Sequence, residues 1–283
     1  MAFGSKWFDA IDDWRCYRQI QRSLQGQHDH IAESFRSLLP NFIIIGAAKS
    51  ATTSLATVLG QHPEIQISSS MEPKFFGRNY QRGWEWYASQ FAGSEHKQFR
   101  GEASTMYSSS YRSYRQTPQL IHHHLGAIKL IYLVRHPLER IQSHWRHWNG
   151  RIETCPPFDQ ILRSKRLRQR VVDASLYHQQ WSRYREWFPH DAILTMTTAE
   201  LTDRPRQSIR RILRFLGADS SCKGLLEQGQ LPLTNPAGAK GRRAIPLPCW
   251  NPELKRDTIE LIRPDSERFL QATGRPLDTW TWD

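Results

Sequence analysis

Residues 42–60 read Phe42-Ile43-Ile44-Ile45-Gly46-Ala47-Ala48-Lys49-Ser50-Ala51-Thr52-Thr53-Ser54-Leu55-Ala56-Thr57-Val58-Leu59-Gly60, and the fold is decided here. Four consecutive apolar residues closed by a glycine form a run without the alternation of a half-exposed strand, which predicts a strand buried on both faces in a parallel sheet. Leu55, Val58 and Leu59 then recur at i, i+3 and i+4, and Gly60 with Pro63 ends the pattern, so a helix follows directly. Between strand and helix lies a loop of small residues around one lysine.

The same order of strand, loop and helix returns twice. Ile128 to Val134 predicts a strand ending at Arg135, after which Pro137 opens a helix with Leu138, Ile141, Trp145 and Trp148 on one face. Ala192 to Met196 predicts another strand, followed by Ile209, Ile212, Leu213 and Leu216 on a helix that Gly217 caps. Leu176 to Trp187 supplies a helix between these units, and Ile65 to Ile67 and Phe99 to Ala103 are shorter strand candidates. Strands alternating with helices predict an α/β fold, a single domain with a mainly parallel central sheet flanked by helices, whose ligands bind outside the carboxyl ends of the strands. Residues 1–40, polar and mildly amphipathic, predict an N-terminal helical arm ending before Pro40, and residues 41–283 the domain. The proline-rich stretch from Leu231 to Pro248 predicts a long irregular loop, a length usually tied to function or disorder. The adjacent His122, His123 and His124 suit a loop better than a metal-ligand set.

Composition bounds the partners. The chain has 283 residues, 39% hydrophobic and 23% charged, without an apolar run long enough to cross a bilayer; collagen, bulk disorder and membrane-integral classes are excluded. A net charge of +12 fits a nucleic acid, an anionic membrane surface, an acidic polysaccharide or a phosphorylated nucleotide. The four cysteines lack C-x-x-C spacing, and Asp9, Asp12 and Asp13 occupy the place of a signal peptide's apolar stretch. Both features predict a cytoplasmic protein.

In the loop Gly46–Ser54, small side chains let backbone N–H groups approach an anion. The following helix start adds unpaired donors and a partial positive charge, and Lys49 adds a full one. Thr52, Thr53 and Ser54 offer hydroxyls, and the plainer reading is a strand-to-helix turn capped by Thr52. A Walker A loop is excluded, because Lys49 lies only three residues past Gly46 and is not at the end of the loop.

Three further stretches follow in order. They are His62 to Tyr87 (HPEIQISSSMEPKFFGRNYQRGWEWY), Ile128 to Ser143 (IKLIYLVRHPLERIQS), and Lys240-Gly241-Arg242-Arg243. Together with Gly46-x-x-Lys49-Ser50-Ala51-Thr52-Thr53 they resemble the sulfotransferases that use 3′-phosphoadenylyl sulfate (PAPS), most of all the carbohydrate, heparan-sulfate-type branch, over about Asn41 to Pro248. The resemblance implies a P-loop-like phosphosulfate-binding loop at Lys49, Ser50, Ala51, Thr52 and Thr53. It also implies 3′-phosphate binding by Arg135 and Ser143, and a nucleotide clamp at Lys240, Gly241, Arg242 and Arg243. Catalysis falls to Glu72 as general base, Lys49 at the leaving group, and Lys74, where many relatives have histidine. PAPS is the co-substrate, no metal is implied, and the partner is an acceptor glycan or a small alcohol or amine. Where relatives have Glu-Lys-Thr/Ser-Pro-x-Tyr, this chain has Glu102-Ala103-Ser104-Thr105-Met106-Tyr107, without the lysine.

Chemistry from the residues alone leaves other readings open. Glu72 can pair with Lys74, and Arg135 with Glu139. The cluster Arg163 to Arg170 can grip a polyanion or be a solvated helix face. A nucleotide or small-molecule kinase would share the fold class but needs a Mg²⁺ site and the Walker lysine, and a nucleic-acid-binding protein would rest on the +12 charge.

Overall fold

The computed structural model describes residues 15–110, 112–152, 154–222, 224–226, 228–232 and 243–282. Five strands form one sheet: β1 (Phe42–Gly46), β2 (Ile65–Ile67), β3 (Phe99–Glu102), β4 (Lys129–Val134) and β5 (Ile193–Thr197), in the order β2-β3-β1-β4-β5. Every pairing is parallel, with Phe42 opposite Gly101 on one side and Lys129 on the other, and Leu130 opposite Ile193.

Helices fill the crossovers. Residues 15–24 (α1) and Asp29–Ser34 (α2) precede the sheet. Next come α3 (Thr52–Leu59), α4 (Gly83–Ser89), α5 (Thr117–Leu125), α6 (Pro137–Asn149), α7 (Phe158–Arg163), α8 (Lys165–Val172) and α9 (Tyr177–Arg185). After β5 follow α10 (Thr198–Asp203), α11 (Pro205–Leu216) and α12 (Pro252–Ala272).

The unbroken apolar strands are explained by cover on both sheet faces. Ile43 and Ile45 of β1, with Leu130, Tyr132 and Val134 of β4, pack into one cluster with Tyr87, Ile121, Tyr184 and Phe269. Phe42 and Ile44, with Ile131 and Leu133, pack into the other against Leu55 and Leu59 of α3 and Ile209, Ile212 and Leu213 of α11. Each such side chain removed wholly from water contributes about 1.5–3 kcal/mol. A third cluster joins α6, α7, α8 and α12 through Ile141, Trp145, Phe158, Ile161, Val171 and Ile262.

Gly217 ends α11 at φ 89°, the left-handed cap expected from the sequence, its N–H reaching the Leu213 carbonyl at 2.9 Å. Two expectations are corrected. The histidines 122–124 close α5 as its last turn, with His124 buried and its Nε2 2.6 Å from Ser23 Oγ, while His123 Nε2 lies 2.8 Å from Asp29 Oδ1. The turn into α3 is capped by Ala51 in the left-handed region rather than by the Thr52 side chain. The segment before the sheet packs into the domain: Cys16, Ile20 and Leu39 belong to the first core cluster. Among the described residues, no helix is long and apolar enough to cross a membrane.

Candidate active site

The central strand β1 delivers its chain at Gly46, between β3 and β4. A Cβ at Gly46 would collide with the Ser108 side chain and come within 3.1 Å of the Thr105 carbonyl, and φ there is 152°. Only glycine fits this close approach. Lys49 (φ 75°) and Ala51 (φ 61°) both adopt left-handed backbone, which side-chain-bearing residues seldom occupy and which clusters at ligand sites. The loop then runs into the first turn of α3, whose amides have no intrahelical partner. Ser50 is wholly buried, and its Oγ has no hydrogen-bond partner among the described residues. A buried orphan hydroxyl in a loop of this shape fits an anionic oxygen. Thr52 is buried and Thr53 half-buried, and Ser54 Oγ donates to the Pro232 carbonyl at 2.8 Å, which brings the start of the long loop to this helix.

The next strand over, β4, hands its chain to α6. Lys49 Nζ lies 3.4 Å from His147 Nδ1 on that helix. Two turns earlier Arg140 is fully buried. Its guanidinium donates to Ser175 Oγ at 2.5 Å, to the Ala48 carbonyl of the phosphate loop at 3.4 Å, and to the Val171 carbonyl. His144 Nδ1 stands 3.1 Å from the same guanidinium, and burial, then the charges of Arg140, His147 and Lys49, push the His144 pKa well below its ordinary value, which keeps the ring neutral. Arg135 opens this segment with its backbone held by Tyr177, whose hydroxyl donates to the Arg135 carbonyl at 2.7 Å. Its guanidinium pairs with Glu139 at 2.9 Å, the helical i, i+4 pairing weighed from the sequence, and Ser143 lies buried two turns into the helix.

On the other side of β1, the segment after β2 carries Glu72. Its carboxylate Oε2 sits 3.2 Å from Lys74 Nζ, with both side chains about one third exposed, so the pair anticipated from the sequence forms and faces solvent. Met71 (φ 57°) and Lys74 (φ 53°) are in left-handed backbone. The Ala103 N–H donates to the Met71 carbonyl at 2.8 Å and fastens the segment to the end of β3.

The carboxyl ends of β2 and β3 therefore present Glu72 and Lys74, that of β1 the loop 46–54, and that of β4 Arg135 and Ser143, side by side along one edge. Such an edge, where crossovers leave in opposite directions from the central strand, is where open α/β sheets bind ligands. Of the clamp, Lys240, Gly241 and Arg242 lie outside the described residues. Arg243 donates to the Asn149 carbonyl at 2.6 Å and to that of Ile152 at 3.0 Å, so its cation closes the C-terminal end of α6.

Three residues were not singled out as site residues in the sequence: Arg140, His144 and His147. Their i, i+4, i+7 spacing along α6 was the available signal, hidden because the apolar stripe of the same helix dominates its reading. Glu102 was noticed only for the missing lysine beside it, yet it is fully buried and accepts hydrogen bonds from Tyr87, Tyr107 and Ser104.

Comparison with known proteins agrees with this geometry. The family model of the sulfotransferase domain matches residues 39–231, the span from β1 to the start of the long loop. Heparan sulfate glucosamine 3-O-sulfotransferase 6 of Homo sapiens is 27% identical over 256 residues, covering 85% of this chain and 73% of that protein. The related enzyme 3B1 of Mus musculus is 25% identical over 268 residues, 87% of this chain and 65% of that protein. Among solved structures, a sulfotransferase from Alicyclobacillus acidocaldarius superposes with a TM-score of 0.68 at 25% identity, covering 86% of this chain and 98% of that one. With a family model spanning most of the chain and the phosphate loop at the carboxyl end of its central strand, the protein belongs to the sulfotransferase domain family, whose sulfuryl donor is PAPS.

Proposed function

We propose that the protein transfers the sulfuryl group of PAPS to a hydroxyl or amine of a carbohydrate or glycoconjugate. The observation that carries this reading is the edge arrangement, with a carboxylate–lysine pair at β2 and β3 beside a lysine-bearing anion loop at β1. Similarity to enzymes named for heparan sulfate glucosamine supports the acceptor class. In the in-line step, the acceptor oxygen or nitrogen attacks sulfur as Glu72 takes its proton. The new bond to sulfur forms while the bond to the 5′-phosphate oxygen breaks, and adenosine 3′,5′-bisphosphate leaves. Lys49, with the loop amides and the hydroxyls of Ser50, Thr52 and Thr53, holds the 5′-phosphate and stabilises the charge that grows on the bridging oxygen. Arg135, Ser143 and the 240–243 segment take the 3′-phosphate side, and Lys74 holds the Glu72 carboxylate and an anionic acceptor. The absence of Walker lysine spacing, with the family match over the same loop, favours sulfuryl transfer over the kinase and nucleic-acid-binding readings. Four free thiols support a reducing, cytoplasmic setting.

The test is Glu72→Gln assayed with PAPS and a panel of heparan-type oligosaccharides, with calorimetry of adenosine 3′,5′-bisphosphate alongside. Glu72→Gln is expected to bind the bisphosphate normally and to turn over at least about a hundredfold slower. Normal turnover would remove Glu72 as the base.

A further inference from the structure

We infer that Glu102 is the positioning residue of the acceptor side, a buried carboxylate that sets the backbone carrying Glu72 and Lys74. The inference rests on the reading of Glu72 as base and deepens it. Glu102 ends β3 with no solvent exposure. Its Oε2 accepts from Ser104 Oγ, and its Oε1 from the hydroxyls of Tyr87 at 2.7 Å and Tyr107 at 3.1 Å. Two of these hydroxyls are themselves acceptors. Ser104 Oγ takes the Lys74 N–H at 2.8 Å, and the Tyr107 hydroxyl takes the Phe76 N–H at 3.0 Å. The Lys74 and Phe76 amides thus each end on a hydroxyl that donates to one carboxylate.

The direction of these bonds calls for an acceptor with room for several donors at the centre. A hydroxyl that accepts from an amide uses its own proton elsewhere, and only an acceptor can receive it. A carboxylate has lone pairs for all three donors. A glutamine has one acceptor oxygen, and its amide group would face Ser104 with protons, turning the Ser104 hydroxyl away. Pro73 has no N–H, so Lys74 supplies the first backbone donor after the base. Lys74 also sits at φ 53°, a conformation of lysine that persists only when its surroundings fix it.

Packing gives no reason for a charge at this place. Phe75, Phe76, Tyr87 and Tyr107 surround the segment with aromatic surface, with Phe75 and Tyr87 stacked at 4.2 Å. The three donors offset the desolvation of Glu102 only in part: burial, helped by the nearby Glu72 charge, raises its pKa to about 7. A group that costs stability and holds two amides of the neighbouring segment acts on the geometry of that segment. It also gives a role to the part of Glu102-Ala103-Ser104-Thr105-Met106-Tyr107 that survives without the lysine, since the hub takes Glu102, Ser104 and Tyr107 from this stretch and adds Tyr87.

The test uses the full chain with Ser104→Ala, Ser104→Thr and Glu102→Gln. It reads kcat and KM for the acceptor, Kd for adenosine 3′,5′-bisphosphate, and hydrogen exchange of the amides in 72–76. Ser104→Ala and Glu102→Gln are expected to lower kcat about tenfold or more and to speed exchange of Lys74 by a similar factor. Nucleotide Kd should stay within about twofold, and Ser104→Thr, which keeps the hydroxyl, should recover most of the loss. Unchanged exchange and kcat in Ser104→Ala would overturn the inference, and because the Ser104 change leaves the carboxylate in place, it remains informative if Glu102→Gln does not fold. Exchange reads the hub without reference to the base: a loosened segment together with normal turnover in Glu72→Gln would overturn the base assignment and keep the hub.

Discussion

Lys49 and Gly46 illustrate how single residues fix this site. Gly46 has no room for a side chain against Ser108 and Thr105, and Lys49 turns back through left-handed backbone toward His147. Gly46→Ala combines a steric collision with an unfavourable φ and is expected to cost about 2–4 kcal/mol in urea unfolding, whereas an unchanged midpoint would show the loop free to move aside. Arg135→Ala should weaken adenosine 3′,5′-bisphosphate binding at least about tenfold, or 1.4 kcal/mol, as read by calorimetry. Two buried groups set opposite pH slopes. Glu102 has its pKa raised from 4.5 to about 7, so the native state holds the proton longer and stability falls as pH rises across that window. His124 has its pKa lowered from 6.5 to about 4, chiefly by burial, so stability is full above 6.5 and is lost as pH falls toward 4. The two slopes oppose each other between pH 4.5 and 6.5, so the stability of Glu102→Gln should rise with pH there more steeply than that of the wild type. Thermal melts at four or five pH values measure both.

Helix α6 shows what an element carries beyond its apolar stripe. Leu138, Ile141 and Trp145 pack against α7, α8 and α12, while Arg140, Ser143, His144 and His147 run along the side toward the phosphate loop. The periodic apolar residues made the helix legible, as they did α3 and α11, because a buried helix face writes itself into the sequence at a fixed period, while unbroken apolar runs marked β1 and β4. The polar side of α6 was legible only at Ser143, with Arg135 just before the helix, through the family pattern. The role of Arg140 depends on Ala48, Val171 and Ser175, three distant positions that no periodicity links. Helix α12 escaped for a related reason: its buried side includes Thr258 and Ser266 beside Leu254 and Ile262, and Pro264 lies inside it. Asn251 nevertheless caps it through Oδ1, which accepts from the Glu253 and Leu254 amides, a signal present in Asn251-Pro252. Arg140→Ala leaves the Ala48 and Val171 carbonyls without this donor and is expected to cost about 2 kcal/mol or more, measured by urea unfolding with and without the bisphosphate.

At the scale of the molecule, a parallel sheet with both faces covered leaves its carboxyl edge as the place where loops from four strands meet. The net charge of +12 fits a protein whose donor and proposed acceptor are both anions. The exposed Arg163, Lys165 and Arg166 around the start of α8 add to that field, which predicts association with a sulfated oligosaccharide that slows steeply as salt rises past about 0.15 M. The central claim is that this edge binds the nucleotide of sulfuryl transfer. Calorimetric titration with adenosine 3′,5′-bisphosphate, with and without Mg²⁺, beside ADP with Mg²⁺ and the Lys49→Ala variant, tests it most directly. The account predicts micromolar or tighter binding of the bisphosphate without Mg²⁺ and a loss of at least about tenfold in Lys49→Ala. Preference for ADP with Mg²⁺, or no binding of the bisphosphate at all, would contradict it.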